Sequence, residues 1–156
     1  MALSLPVSRL VRENVSVLLA FAFSRTALER LVAERFEGEF KTFREAAFDF
    51  SAQRAEKACL DLALLLRYVD DESGLSGRYA DSGHPGFGYV TLRDGTTDIL
   101  KLRDVANKII HAETLSWNFS KWDRPLLVCA PRNGQTWREA EIDVVSLAAA
   151  CGSLSQ

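Results

Sequence analysis

Apolar residues recur at spacings of three and four from Pro6 to Arg35: Val7, Leu10, Val11, Val15, Leu18 and Leu19, then Leu28, Leu31 and Val32. That is the period of an amphipathic helix. Pro6 suits a first helical turn, and Ser24-Arg25-Thr26 reads as a break at which Ser24 caps a second helix, so two helices or one kinked helix are expected. Gly38 separates this segment from a longer stripe, Phe43, Ala47, Phe50, Ala58, Leu62, Leu65 and Val69, with Lys41, Glu45, Glu56, Lys57 and Arg67 lying off it. The stripe predicts one helix from about Phe40 to Asp70. A helix of that length needs apolar partners along its whole course, which points to a helical bundle.

The texture changes between Asp70 and Thr97, where glycine is frequent and aliphatic residues are few. This stretch reads as loop, with one short strand at Gly88 to Leu92 turned by Asp94-Gly95. Thr97 or Asp98 then caps a helix from about Ile99 to Glu113. Further on, Asn133-Gly134 between alternating apolar residues is the strongest hairpin signal in the chain. A short helix from Val144 to Ala150 precedes Gly152. The expected fold class is therefore α+β and mainly α: a bundle of three to five helices, a C-terminal β-hairpin, and room for one further short strand. The expected organisation is a single domain over residues 1–156, with the bundle across 6–113, a Gly-rich loop near 72–97, and the hairpin and terminal helix across 124–154.

Composition narrows the function classes. The chain is 156 residues long, 47% apolar and 26% charged, enough to bury a core without metals or disulfides. A formal net charge of -2 gives bulk electrostatics no role in nucleic-acid binding, so any such contact needs a local basic patch. Cys59, Cys129 and Cys151 form no CxxC or Cys/His group with metal-ligand spacing and read as reduced, buried thiols of a cytoplasmic protein. No metal site or cofactor is expected. The apolar run Val15 to Phe23 is too short to span a bilayer and is interrupted by Arg25 and Glu29, so it reads as a core helix and no membrane contact is expected. No nucleotide-binding glycine motif, Walker sequence or GxSxG elbow occurs.

The stretch LRDVANKIIHAE carries the candidate chemistry. On a helix Arg103, Asn107 and His111 follow one another at four-residue steps and share a slowly drifting face, while Leu102, Val105, Ala106, Ile109 and Ile110 form the apolar one. A guanidinium, an amide and an imidazole in one row can grip a phosphate and move a proton. The bland reading is equally concrete. A histidine at a helix C-terminus is favoured by the macrodipole, Arg103 can pair with a carboxylate such as Asp70 or Asp71, and Asn107 can bond a nearby loop carbonyl.

The words LRD and NKIIHAE resemble the signature helix of HEPN domains, helical-bundle proteins that include RNA-cleaving toxins and phage-defence proteins and usually act as dimers. Aligned on His111, Asn107 falls on the family's polar position and Ala106 on its arginine position. The resemblance implies a bacterial protein of toxin, antitoxin or defence type. It also implies metal-independent RNA cleavage or RNA binding, with His111 as general acid/base, Arg103 as clamp and Asn107 as orienting group. Arg103 stands one turn before the family's arginine, about 12 Å along the helix axis from His111; a homodimer that set two such helices face to face would close that gap. The combination LALLLRYVDD, LRDVANKIIHAE and a late NG hairpin also resembles small bacterial proteins, which implies a bacterial cytosolic domain without implying an activity.

Lys108, Trp117, Trp122, Arg132 and Trp137 are the candidate binding residues outside the row. Aromatic rings among basic side chains can stack bases and hold phosphates, or pack the hairpin on the bundle, or meet a protein partner. Two readings stand side by side: an RNA-directed HEPN-like protein, and a non-catalytic module that binds a cognate protein partner through the Trp-rich region.

Overall fold

A computed structural model describes residues 5–36 and 41–154. The first helix, α1, runs unbroken from Leu5–Arg35. Ser24 does not cap a second helix. Its hydroxyl donates back to the Phe21 carbonyl at 3.4 Å, a bond compatible with continuous helix, and the ion pair Arg25–Glu29 at 2.8 Å crosses the expected break. Gly38 and Phe40 lie outside the described residues.

The second helical run comprises α2 (Lys41–Arg44), a π-helical turn (Glu45–Phe50) and α3 (Ser51–Ser73). Arg44, Phe50 and Ser51 all keep right-handed helical angles, so the three pieces form one rod. The wider π-turn moves the apolar stripe out of phase. Phe48, not Phe50, enters the core, and Phe50 is left 52% exposed. From Ala55 onward the stripe is as expected, with Ala58, Leu62 and Val69 buried. The rod stops at Gly74, whose φ of 63° gives a left-handed end and whose N–H donates to the Asp70 carbonyl at 2.8 Å.

A short helix, α4 (Leu75–Asp81), follows at once in the stretch expected to be loop. Its anchors, Leu75 and Tyr79, make a single i,i+4 step, too short to register as a period. Then come β1 (Gly88–Leu92), β2 (Thr97–Ile99), α5 (Leu102–Ile110), β3 (Ala112–Asn118), β4 (Leu126–Pro131), β5 (Trp137–Asp143) and α6 (Val144–Ser153). The helix around His111 is thus shorter than expected at both ends, and α6 runs through Gly152.

The larger correction concerns the sheet. In place of a hairpin with one extra strand, five antiparallel strands form a single sheet in the order β2-β1-β5-β4-β3. Two strands were missed for definite reasons. Thr97–Ile99 is only three residues and looks like a helix cap. Ala112–Asn118 follows α5 without a turn residue, so Glu113 and Leu115 read as helix. Yet the β3 register is firm: Leu115 pairs with Cys129 and Trp117 with Leu127, and those partners in turn pair with Ala140 and Ile142. These rows point into the core. Tyr89, Glu141, Val128 and Ser116 form the opposite row across the sheet.

Helices α1, α3, α5 and α6 cover the inner face, and one hydrophobic cluster joins Val11 and Leu18 of α1, Leu62 and Leu66 of α3, Val105 of α5, Leu127 and Ile142 of the sheet, and Leu147 of α6. Gly88 is required by close approach: a Cβ there would lie 1.9 Å from the Glu141 carbonyl oxygen. Among the described residues no helix is long and apolar enough to cross a membrane, and Val15 to Phe23 is part of α1.

Candidate functional site

The polar row of α5 is turned toward the C-terminal end of α3. Arg103 Nη1 donates to Asp70 Oδ2 at 2.8 Å and to Asp71 Oδ1 at 2.5 Å. The other oxygen of Asp70 accepts from the backbone N–H of Ser76 at 2.6 Å and from its hydroxyl at 2.7 Å. One carboxylate therefore ties together α3, α4 and α5. A turn further along, Arg67 Nη1 donates to Asn107 Oδ1 at 3.0 Å, so Asn107 meets an arginine of α3, not a loop carbonyl.

Asp70 is 7% exposed. Burial alone would push its carboxyl upward, but the hydrogen bonds from Arg103 and Ser76, aided by the Arg103 charge, outweigh burial and hold it below the usual carboxylate range. The same bonds to Asp70 and Asp71 raise the Arg103 guanidinium further above its already high value. The network satisfies the buried carboxylate with charge-assisted bonds. Its chemistry is that of a clamp.

His111 is set apart from it. It is the C-cap of α5, its N–H donates to the Asn107 carbonyl at 3.0 Å, and it is exposed. The pairing of Ala112 with Pro131 places the exposed Arg132 at the same end of the sheet as His111. The structure thus joins Arg103 and Asn107 to α3 and leaves His111 apart from them, at the same end of the sheet as Arg132. Ala106, which the resemblance would set at an arginine position, is 1% exposed within the core.

The tryptophans divide in the same way. Trp137 is 3% exposed and covered by Lys108, whose Nζ lies 4.4 Å from its ring centroid; burial lowers the Lys108 ammonium, with Asp104 acting in the opposite sense. Trp117 packs on Phe21 at 5.0 Å and stacks with Phe119 at 5.9 Å, and its indole N–H is buried without a hydrogen-bond partner. Trp122 alone stands out, at 77% exposure.

Beside Trp122 runs a groove of about 550 Å³ bounded by α1 and the β3–β4 connection. Phe23, Ala27, Leu31, Phe119 and Trp122 supply its apolar walls, and Arg30 and Glu34 line it as well, bonded to one another at 2.8 Å. Phe23 and Leu31 are large apolar side chains left exposed. Periodicity places Leu31 in a core stripe, and Phe23 ends the apolar run that reads as core helix, yet both are exposed. The signal that could have found the groove is length: a helix such as α1 extends about 46 Å beside strands of about 23 Å, so one end outruns the sheet.

The three cysteines are all buried. Burial pushes the thiols of Cys129 and Cys151 up to about 12 and that of Cys59 higher still, which suppresses the reactive thiolate. Among the described residues no group of histidine, cysteine and acidic side chains could hold a metal ion. Comparison with protein-family models, curated proteins and solved structures returns no significant match to this chain.

Proposed function

We propose that the chain is a non-catalytic protein-interaction module of the cytoplasm, and that its docking surface is the groove along α1 beside Trp122. The observation that carries this reading is the combination of an exposed tryptophan with Phe23 and Leu31 on one concave wall, since tryptophan is enriched at interface hot spots and apolar groups left in a groove mark binding surfaces. From Ala22 to Glu34 the wall spans about 18 Å of helix. That matches a short amphipathic helix laying an apolar stripe into the groove. The engagement of Arg103 Nη1 by two carboxylates supports the same reading, because it offsets the charge that a phosphate would need.

A photo-reactive residue placed at Trp122 tests this in living cells. One protein of defined mass is expected to crosslink, and the adduct is expected to vanish when Leu31→Glu is added. Diffuse crosslinking unaffected by Leu31→Glu would count against the groove.

The likeness to HEPN domains supports a second reading, RNA cleavage or binding by a toxin- or defence-type protein, and one observation favours it in altered form: His111 and Arg132 are both exposed at one end of the sheet. In that version Arg132 takes the place of Arg103 as the phosphate clamp. Incubation of purified protein with a mixed single-stranded RNA pool, free of metal, separates the two. The interaction reading expects intact RNA, whereas cleavage abolished by His111→Ala and Arg132→Ala would establish the RNA-directed one.

A further inference from the structure

Helix α3 buries Ala58, Leu62, Leu66 and Val69 on one side and packs between α1 and α5. Its other side is not polar throughout. Leu60, Leu64 and Tyr68 are 42%, 51% and 52% exposed. Standing at four-residue steps, they lie one turn above another within about 80° of the helix circumference, so they form a single ridge of the kind that packs against a second helix. One exposed leucine on a surface is ordinary, but three large apolar side chains in one ridge mark a contact face. None of them lines the groove beside Trp122.

Two charges frame the ridge. Lys57, Leu64 and Asp71 follow one another at seven-residue steps, which drift by only about 20° each, so all three share the middle of this face. The Lys57 and Asp71 side chains are 76% and 55% exposed, although Lys57 also meets Asp61 and Asp71 also meets Arg103. The face therefore carries a cation at one end, apolar groups at its centre and an anion at the other end. Such a stripe is complementary to itself when reversed.

We infer that this face pairs antiparallel with the same face of a second copy of the chain, about a twofold axis at Leu64. Leu64 then meets its own copy, Leu60 comes level with Tyr68 of the second copy, and Lys57 comes level with Asp71, each contact made twice by symmetry. Other registers are poorer. A parallel pair sets Lys57 on Lys57 and Asp71 on Asp71, and an antiparallel pair shifted to bring Leu60 against Leu64 sets Lys57 level with Arg67. Glu56 and Glu72 also come level at the Leu64 axis, but they stand about 160° apart round the helix and point to opposite flanks. The apolar ridge supplies the attraction, and the end charges select orientation and register. The twofold falls on α3, not on the helix that ends at His111, and it is independent of the groove.

Sedimentation of the purified chain from about 1 µM to about 1 mM, the range in which a small interface dissociates, is expected to pass from monomer to dimer. Leu64→Asp, at an exposed position, sets two like charges at the axis and is expected to move the midpoint by about a hundredfold. Leu31→Glu, in the groove, is expected to leave it unchanged. Crosslinking with a short bismaleimide fixes the register, because the native thiols are buried. Leu64→Cys is expected to link to its own copy, whereas Lys57→Cys, whose two copies lie about 21 Å apart along the axis, is not. Monomer at every concentration, a midpoint indifferent to Leu64→Asp or moved by Leu31→Glu, or linking of Lys57→Cys to itself would overturn the assignment.

Discussion

The seam between α3 and α5 and the groove beside α1 are built on opposite plans. In the seam every strong polar group meets a partner: Asp70 receives Arg103 and Ser76, Asp71 receives Arg103, and Asn107 receives Arg67. In the groove Phe23 and Leu31 are left exposed, with Trp122 extending into open space. A satisfied buried network rigidifies a fold, whereas an unsatisfied apolar wall is a surface in want of an occupant. Residue types that suggest chemistry thus hold the scaffold, and residue types that suggest core carry the proposed interaction.

The difference can be broken at its strongest point by Asp70→Ala. It removes a buried carboxylate that joins three helices, and the half-exposed Arg103 retains Asp71, so a loss of about 2–3 kcal/mol is expected in urea denaturation. Acid sharpens the same contrast. The Asp70 pKa is depressed by folding, so its contribution is fully present above the unfolded value of about 3.9 and disappears as pH falls through the lower folded value. A thermal melt series below pH 4 is expected to show a steeper loss for the wild type than for Asp70→Asn.

On the other side of the comparison, Leu31→Glu and Phe23→Ser are expected to leave the urea midpoint within about 0.5 kcal/mol of wild type. A large loss from either would show that the groove is core and not surface. The smallest effect concerns the thiols. A colorimetric thiol reagent added to native protein is expected to find none of Cys59, Cys129 and Cys151, and all three once the chain is unfolded; rapid reaction in the native state would contradict their burial.

The parts of this fold that were legible in the sequence are those set by local chemistry. Gly88 to Leu92 was read as a strand because it lies between turn glycines, and Gly95 and Gly134 adopt the positive φ that their hairpin turns need. The apolar stripe of α3 was legible from Ala58 onward, and failed before it because a π-turn adds a residue that no helical period anticipates. Strand β3 was hidden because it starts directly where α5 stops, at His111, with no glycine or proline between them. The pairing of Arg103 with Asp70 or Asp71 could be named as an option from residue types alone. Which carboxylates it meets depends on how α3 and α5 pack, forty residues apart in the case of Arg67 and Asn107, and local pattern does not contain that information. The groove was invisible for a related reason: Leu31 keeps the core period although it stands exposed on the groove wall.

Arg103 clamps Asp70, and a double-mutant cycle between the two tests this most directly. Arg103→Ala, Asp70→Ala and the double variant are compared with wild type by urea denaturation. A coupling of about 1–3 kcal/mol is predicted for residues in one buried network; strictly additive losses, with no coupling between the two positions, would contradict it and return Arg103 to the list of groups free to do chemistry.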